Sequence, residues 1–156
     1  MERLHKAAYV GAFASIVAAA GVAALEAGLP IGPVIAVLGL VPAGGLLLAR
    51  RRLAGALPDL IFGALDTGLL TIPALWGGLL FGVPGAIAGG VVGDALTDAI
   101  AGFFEGSVAE WLEERGVTAS RGAVTTSLGK MTGCLLGSGV VLTGAFLLGI
   151  RPAFPA

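Results

Sequence analysis

Apolar residues fall along the chain in five long runs, 7–27, 31–48, 57–80, 83–104 and 124–150, separated by breaks of which the first holds Pro30 and the second Arg50, Arg51 and Arg52. Each run is close to the ~20 residues that a helix needs to cross the hydrocarbon core of a bilayer. The pattern predicts an all-α fold: a polytopic membrane helical bundle of about five transmembrane helices, with residues 1–156 as one transmembrane domain. Pro33 lies in the first turn of the second run, where proline is tolerated, whereas Pro42 must kink it. The first run follows Arg3 and Lys6, as a signal peptide's apolar segment would. It continues past the usual ~7–15 apolar residues of such a segment and no A-x-A-like site closes it, so it is read as the first membrane helix.

Composition supports this reading. Hydrophobic residues make up 56% of the chain and charged residues 12%, against about 25% charged in an average soluble domain. A soluble chain of this length could not hide so much apolar surface. The formal net charge is −1 and no basic arm is present, which sets nucleic acid aside as a partner. The single cysteine, Cys134, excludes an internal disulfide, and the Cys and His clusters of a structural zinc site are absent.

Basic residues set the expected orientation. Arg3 and Lys6 precede the first run, Arg50, Arg51 and Arg52 follow the second, and Arg115 and Arg121 lie between the fourth and fifth, whereas the breaks near Pro30 and Pro84 carry no Lys or Arg. Positive charge stays inside, so the N-terminus is expected in the cytoplasm, with Arg151 the one exception to the pattern. The polar stretch 105–121, with Glu105, Glu110, Glu113 and Glu114 around Trp111 and Leu112, reads as a short amphipathic connector at the cytoplasmic interface.

Glycine recurs every fourth residue at Gly85, Gly89 and Gly93 and again at Gly129, Gly133 and Gly137. This spacing makes strips on which another backbone can approach closely. The two strips are expected to face each other or a second copy of the chain.

Ionisable side chains inside a membrane cost roughly 2.5–3.5 kcal/mol each on insertion scales, so each asks for a reason. Asp66 falls near the middle of the third run and Asp94 near the middle of the fourth, with Asp98 one turn later and Glu105 seven residues beyond. Residues four and seven apart share a helix face, so Asp94, Asp98 and Glu105 form one acidic stripe. Such a stripe suits a path for a cation or a proton, and hard divalent cations prefer oxygen ligands. Met131 and Cys134 offer softer ligands to a transition metal, or simply pack. Lys130 falls at a depth similar to that of Asp66 and offers it a neutralising partner.

The run from Asp59 to Thr71, DLIFGALDTGLLT, resembles the first-helix signature of the vacuolar iron transporter family. That resemblance implies a dimeric five-helix antiporter of metal ions and protons, with Asp66 as the first-helix aspartate and Glu105, Glu110, Glu113 and Glu114 as cytoplasmic metal-binding glutamates. A second likeness is shorter. Gly90, Asp94 and Asp98 stand at the spacing of G-x3-D-x3-D, which resembles the second half of the motif of the CDP-alcohol phosphotransferases, membrane enzymes whose aspartates hold divalent metals.

Together these features point to a small integral membrane transporter or channel for a cation, divalent ions fitting best, coupled to protons through exchange at the same carboxylates. Asp66, Asp94, Asp98 and Glu105 are the expected transport residues, with Met131 and Cys134 as further candidate metal ligands. The metal is expected as substrate and no cofactor is expected. The expected partners are the lipid bilayer and further copies of the chain, as a homodimer or other homo-oligomer, and the expected location is the plasma membrane. Two other readings stand beside this one: an accessory membrane subunit of a larger complex, and a phosphotransferase-like lipid enzyme.

Overall fold

A computed structural model describes residues 2–116 and 122–150; the side chains of 101–106, 108 and 109 lie outside the described set. The described residues form helices joined by short turns: α1 (Glu2–Glu26), α2 (Ile31–Leu38), α3 (Leu40–Leu48), a 3-10 turn (Leu53–Ala56), α4 (Leu57–Glu113) and α5 (Ala123–Leu147). Four stretches are long and apolar enough to cross a membrane: Glu2–Glu26, Ile31–Leu48, Leu53–Ile100 and Ala123–Leu147.

Two of these stretches are interrupted. The second divides between α2 and α3 at Gly39. Pro42 has no N–H to offer the Leu38 carbonyl four residues earlier, so the helix cannot run straight through that turn. The third reverses direction at Gly82, whose backbone (φ 64°, ψ −147°) lies in a region that only glycine enters freely. Helix α4 is therefore a hairpin with a first arm, 57–81, and a second arm, 83–113. The second arm continues unbroken to Glu113, so the expected separate connector over 105–121 is, as far as Glu113, the end of this arm; residues 117–121 lie outside the described set.

Glycine sets how closely the helices approach. A Cβ on Gly133 would collide with the Leu60 carbonyl and one on Gly137 with the Ala64 carbonyl. The strip on α5 thus lies against the first arm of α4, and the pairing runs parallel. On the other side of that arm, a Cβ on Gly85 would strike Gly77 and one on Gly89 the Pro73 carbonyl, while Gly93 sits over Leu70 and the Pro73 ring. The two glycine strips do not face each other, as the sequence allowed. Both pack on the first arm, one from each side, because that arm presents small residues and backbone to both neighbours. Helix α2 packs antiparallel to α5, with Gly32 against Thr143 and Gly139 against Ala36.

The small apolar core lies at one end, where Leu46, Ala56, Val124 and Leu128 are buried together against Tyr9, Val10, Phe13, Ala49 and Met131. Tyr9 donates a 2.7 Å hydrogen bond to the Gly45 carbonyl and stacks obliquely on Phe13, ring centroids 5.1 Å apart, which ties α1 to α3. Elsewhere apolar side chains point outward. Helix α1 buries no residue, and Trp76, Val91 and Leu147 are 60%, 66% and 78% exposed. Water would not tolerate apolar surface on this scale.

Three helix ends share one capping geometry. After α1, Gly28 bonds back to Leu25 and Leu29 to Ala24; after α5, Gly149 bonds to Phe146 and Ile150 to Ala145. Both glycines have positive φ, as this cap requires. After α3 the same bonds run from Arg50 to Leu47 and from Arg51 to Leu46, but the left-handed position is held by Arg50 (φ 55°).

Candidate functional site

The hairpin register brings three aspartates of α4 together. Gly77 meets Gly85, Pro73 meets Gly89 and Leu70 meets Gly93. Continued at the same pitch, this antiparallel pairing sets position 66 opposite position 96, midway between Asp94 and Asp98. One carboxylate oxygen from each of Asp66, Asp94 and Asp98 lies within 4.8 Å of the others. Asp66 is partly buried, while Asp94 and Asp98 are exposed.

Among the described residues the three acids have no counter-charge. None forms an ion pair with a described residue, and the buried Oδ1 of Asp66 has no hydrogen-bond partner. Lys130, the candidate partner of Asp66, is turned elsewhere: its ammonium lies 4.3 Å from the centroid of the Phe62 ring, an alternative way of stabilising a cation in an apolar setting. Two unit charges at the separation found here repel by about 3–4 kcal/mol at an effective dielectric constant of about 20. A shared proton or a bound cation removes that repulsion.

Hydroxyl residues flank the aspartates in sequence, Thr67 after Asp66 and Thr97 before Asp98. The hydroxyl of buried Thr97 donates to the Asp94 carbonyl at 3.1 Å. On the first arm, Thr71 donates to the Thr67 carbonyl at 2.6 Å. The Thr71 and Ser138 hydroxyls are hydrogen-bonded at 2.9 Å, and Ser138 also reaches the Thr67 carbonyl at 3.3 Å. This bridge from α5 fixes the turn of helix that carries Asp66. Thr71 was legible beside Asp66; Ser138 was not, since a lone serine among glycines carries no signal of its own.

The other expected ligands are placed apart. Met131 packs against the apolar core with Leu46 and Leu128. Cys134 faces the first arm at Gly63, where its Sγ would lie 3.2 Å from an added Cβ, and does not belong to the carboxylate cluster. The side chain of Glu105 lies outside the described residues; its backbone continues the second arm seven residues beyond Asp98. Of the other glutamates, Glu110, Glu113 and Glu114 are exposed around Trp111, whose ring is covered by Arg115 at 3.8 Å.

Depth can be read from the hairpin tip. Asp94 lies twelve residues from Gly82 and Asp66 and Asp98 sixteen, or roughly 18–24 Å along the arms. A hydrocarbon core of about 30 Å would contain all three. No protein-family model matches the chain, and no curated protein or solved structure is significantly similar to it.

Proposed function

We propose that the chain is a multi-pass integral membrane protein, oriented with its N-terminus in the cytoplasm of the plasma membrane, that moves a divalent cation through a site formed by Asp66, Asp94 and Asp98. The observation that carries this reading is the convergence of three carboxylates, within 4.8 Å and without a basic partner among the described residues, on a stretch apolar enough to cross a bilayer. The spacing suits a hard cation. Oxygens on opposite sides of a calcium ion, each about 2.3–2.6 Å from it, are separated by about 4.6–5.2 Å, and those around magnesium by less. The half-buried Asp66 is the inner ligand, and Glu105, farther along the same arm, is the entry ligand. The resemblance of the run around Asp66 to vacuolar iron transporters agrees with a metal substrate.

Protons compete with metal for the same oxygens, so binding weakens as pH falls. Loss of the metal in exchange for protons then couples the two movements. A second copy of the chain is the proposed cover for the second arm, because Asp94 and Asp98 cannot be left against lipid.

That same exposure favours one other reading, in which the chain is an accessory subunit and the two acids pair with cationic groups of a larger complex. Calorimetric titration of Mn²⁺ into the purified protein separates the two. Binding that disappears in the Asp94→Asn, Asp98→Asn double variant supports the metal site. Wild-type protein that takes up no Mn²⁺ supports the accessory role. Turnover of a CDP-linked lipid would identify a phosphotransferase instead.

A further inference from the structure

At the core end of the bundle a groove of about 350 Å³ opens between α1, the end of α3 and the start of α5. Exposed His5 and Arg51 and half-buried Lys6 line one part of it, while Tyr9 and Val124 line another and belong to the apolar core. Glu2 also lines the groove and holds Lys6 through a 2.6 Å ion pair. With His5 neutral, Glu2, Lys6 and Arg51 leave the lining with one net positive charge.

We propose that this groove binds the phosphate headgroup of an anionic phospholipid. The inference rests on the membrane placement proposed above, but not on cation transport. Lys6 and Arg51 stand at the ends of helices of membrane-crossing length, at the level where headgroups lie. The Glu2–Lys6 pair is exposed, so it holds the ammonium weakly and leaves two of its N–H donors for a ligand. Arg51 offers a planar fork that matches two phosphate oxygens. Leu4 and Leu48, each 76% exposed at the same end of the bundle, give acyl chains an apolar surface beneath the cationic groups. A free phosphate would gain nothing from that surface or from Tyr9 and Val124, which is why a lipid is the better occupant. Basic pockets between membrane helices on the cytoplasmic side bind acidic headgroups for these same reasons.

The test uses native mass spectrometry of the full chain in detergent, titrated with phosphatidylglycerol or phosphatidylcholine. Phosphatidylglycerol binds the wild type more tightly than phosphatidylcholine. The Lys6→Gln, Arg51→Gln double variant loses about thirtyfold in phosphatidylglycerol affinity, as expected for two surface charges at about 1 kcal/mol each. Arg51→Lys retains most of the affinity, and Arg52→Gln, outside the groove, leaves it within about twofold. Should the double variant not fold, Arg51→Gln alone carries the comparison, since that side chain is exposed. An equal loss in Arg52→Gln would mean diffuse attraction and would overturn the site, as would the absence of a preference for the anionic lipid. Displacement of the lipid by millimolar inorganic phosphate would reassign the groove to free phosphate and overturn the lipid assignment. A chain released from membranes by alkaline carbonate without detergent would instead defeat the membrane placement itself.

Discussion

Asp66 and Asp94 bring carboxylate oxygens within 4.8 Å of each other across the α4 hairpin, although they lie 28 residues apart in the sequence. Their meeting depends on two backbone features: the reversal at Gly82 and the glycine and proline contacts that fix the register of the arms. Site and packing are therefore coupled, and substitutions far from the acids should be felt at them.

Gly89→Leu tests the coupling. Its side chain would have to displace the Pro73 backbone, so the arms must separate. The expected cost is at least about 1–3 kcal/mol, seen as a lower melting midpoint in detergent together with weaker Mn²⁺ binding. Gly144→Ala, which meets nothing within 4 Å, should leave both properties unchanged.

Backbone conformation makes two predictions of opposite sign. Gly82→Ala should destabilise by about 1–3 kcal/mol, because its φ and ψ are accessible essentially to glycine alone. Arg50→Gly should stabilise by about 1 kcal/mol, since Arg50 occupies the left-handed cap position that glycine fills after α1 and α5. Thermal unfolding of the two variants beside the wild type checks both signs.

Much of this architecture was legible in the sequence. Hydrophobic runs located the helices, and Pro42 announced the break that falls at Gly39. The acidic stripe of Asp94 and Asp98 followed from the helical period. What a helical period cannot supply is register between helices, so nothing in the sequence aligned Asp66 with the midpoint of Asp94 and Asp98. The same gap explains the misassigned glycine strips: spacing shows that a backbone can come close, but not which one. Lys130 was matched to Asp66 by depth alone, and depth does not give azimuth around the helix; its ammonium faces Phe62 instead.

Lys130→Met follows from that geometry. Because no ion pair joins Lys130 to Asp66, removing its charge should alter Mn²⁺ affinity by no more than about twofold, or roughly 0.4 kcal/mol. A gain of tenfold or more on calorimetric titration would show that the lysine neutralises the site.

Topology is tested by cysteine labelling in a Cys134→Ala background. The hairpin tip and the Lys6–Arg51 end are at opposite ends of the bundle. A cysteine at Phe81, beside the tip, should react with an impermeant maleimide added outside intact cells, while one at exposed Glu110 should react only after permeabilisation. The reverse pattern would invert the orientation.

Mn²⁺ entry into sealed proteoliposomes, followed by quenching of a trapped fluorophore, tests the central claim most directly. Wild-type protein should carry Mn²⁺ in a saturable manner and more slowly as external pH is lowered, since protons occupy the same oxygens. Asp66→Asn should reduce the rate by about tenfold or more, and the Asp94→Asn, Asp98→Asn double variant should bring it to the level of protein-free vesicles. Wild-type vesicles no more permeable than empty ones, or a triple asparagine variant as fast as the wild type, would contradict a transport role for the three aspartates.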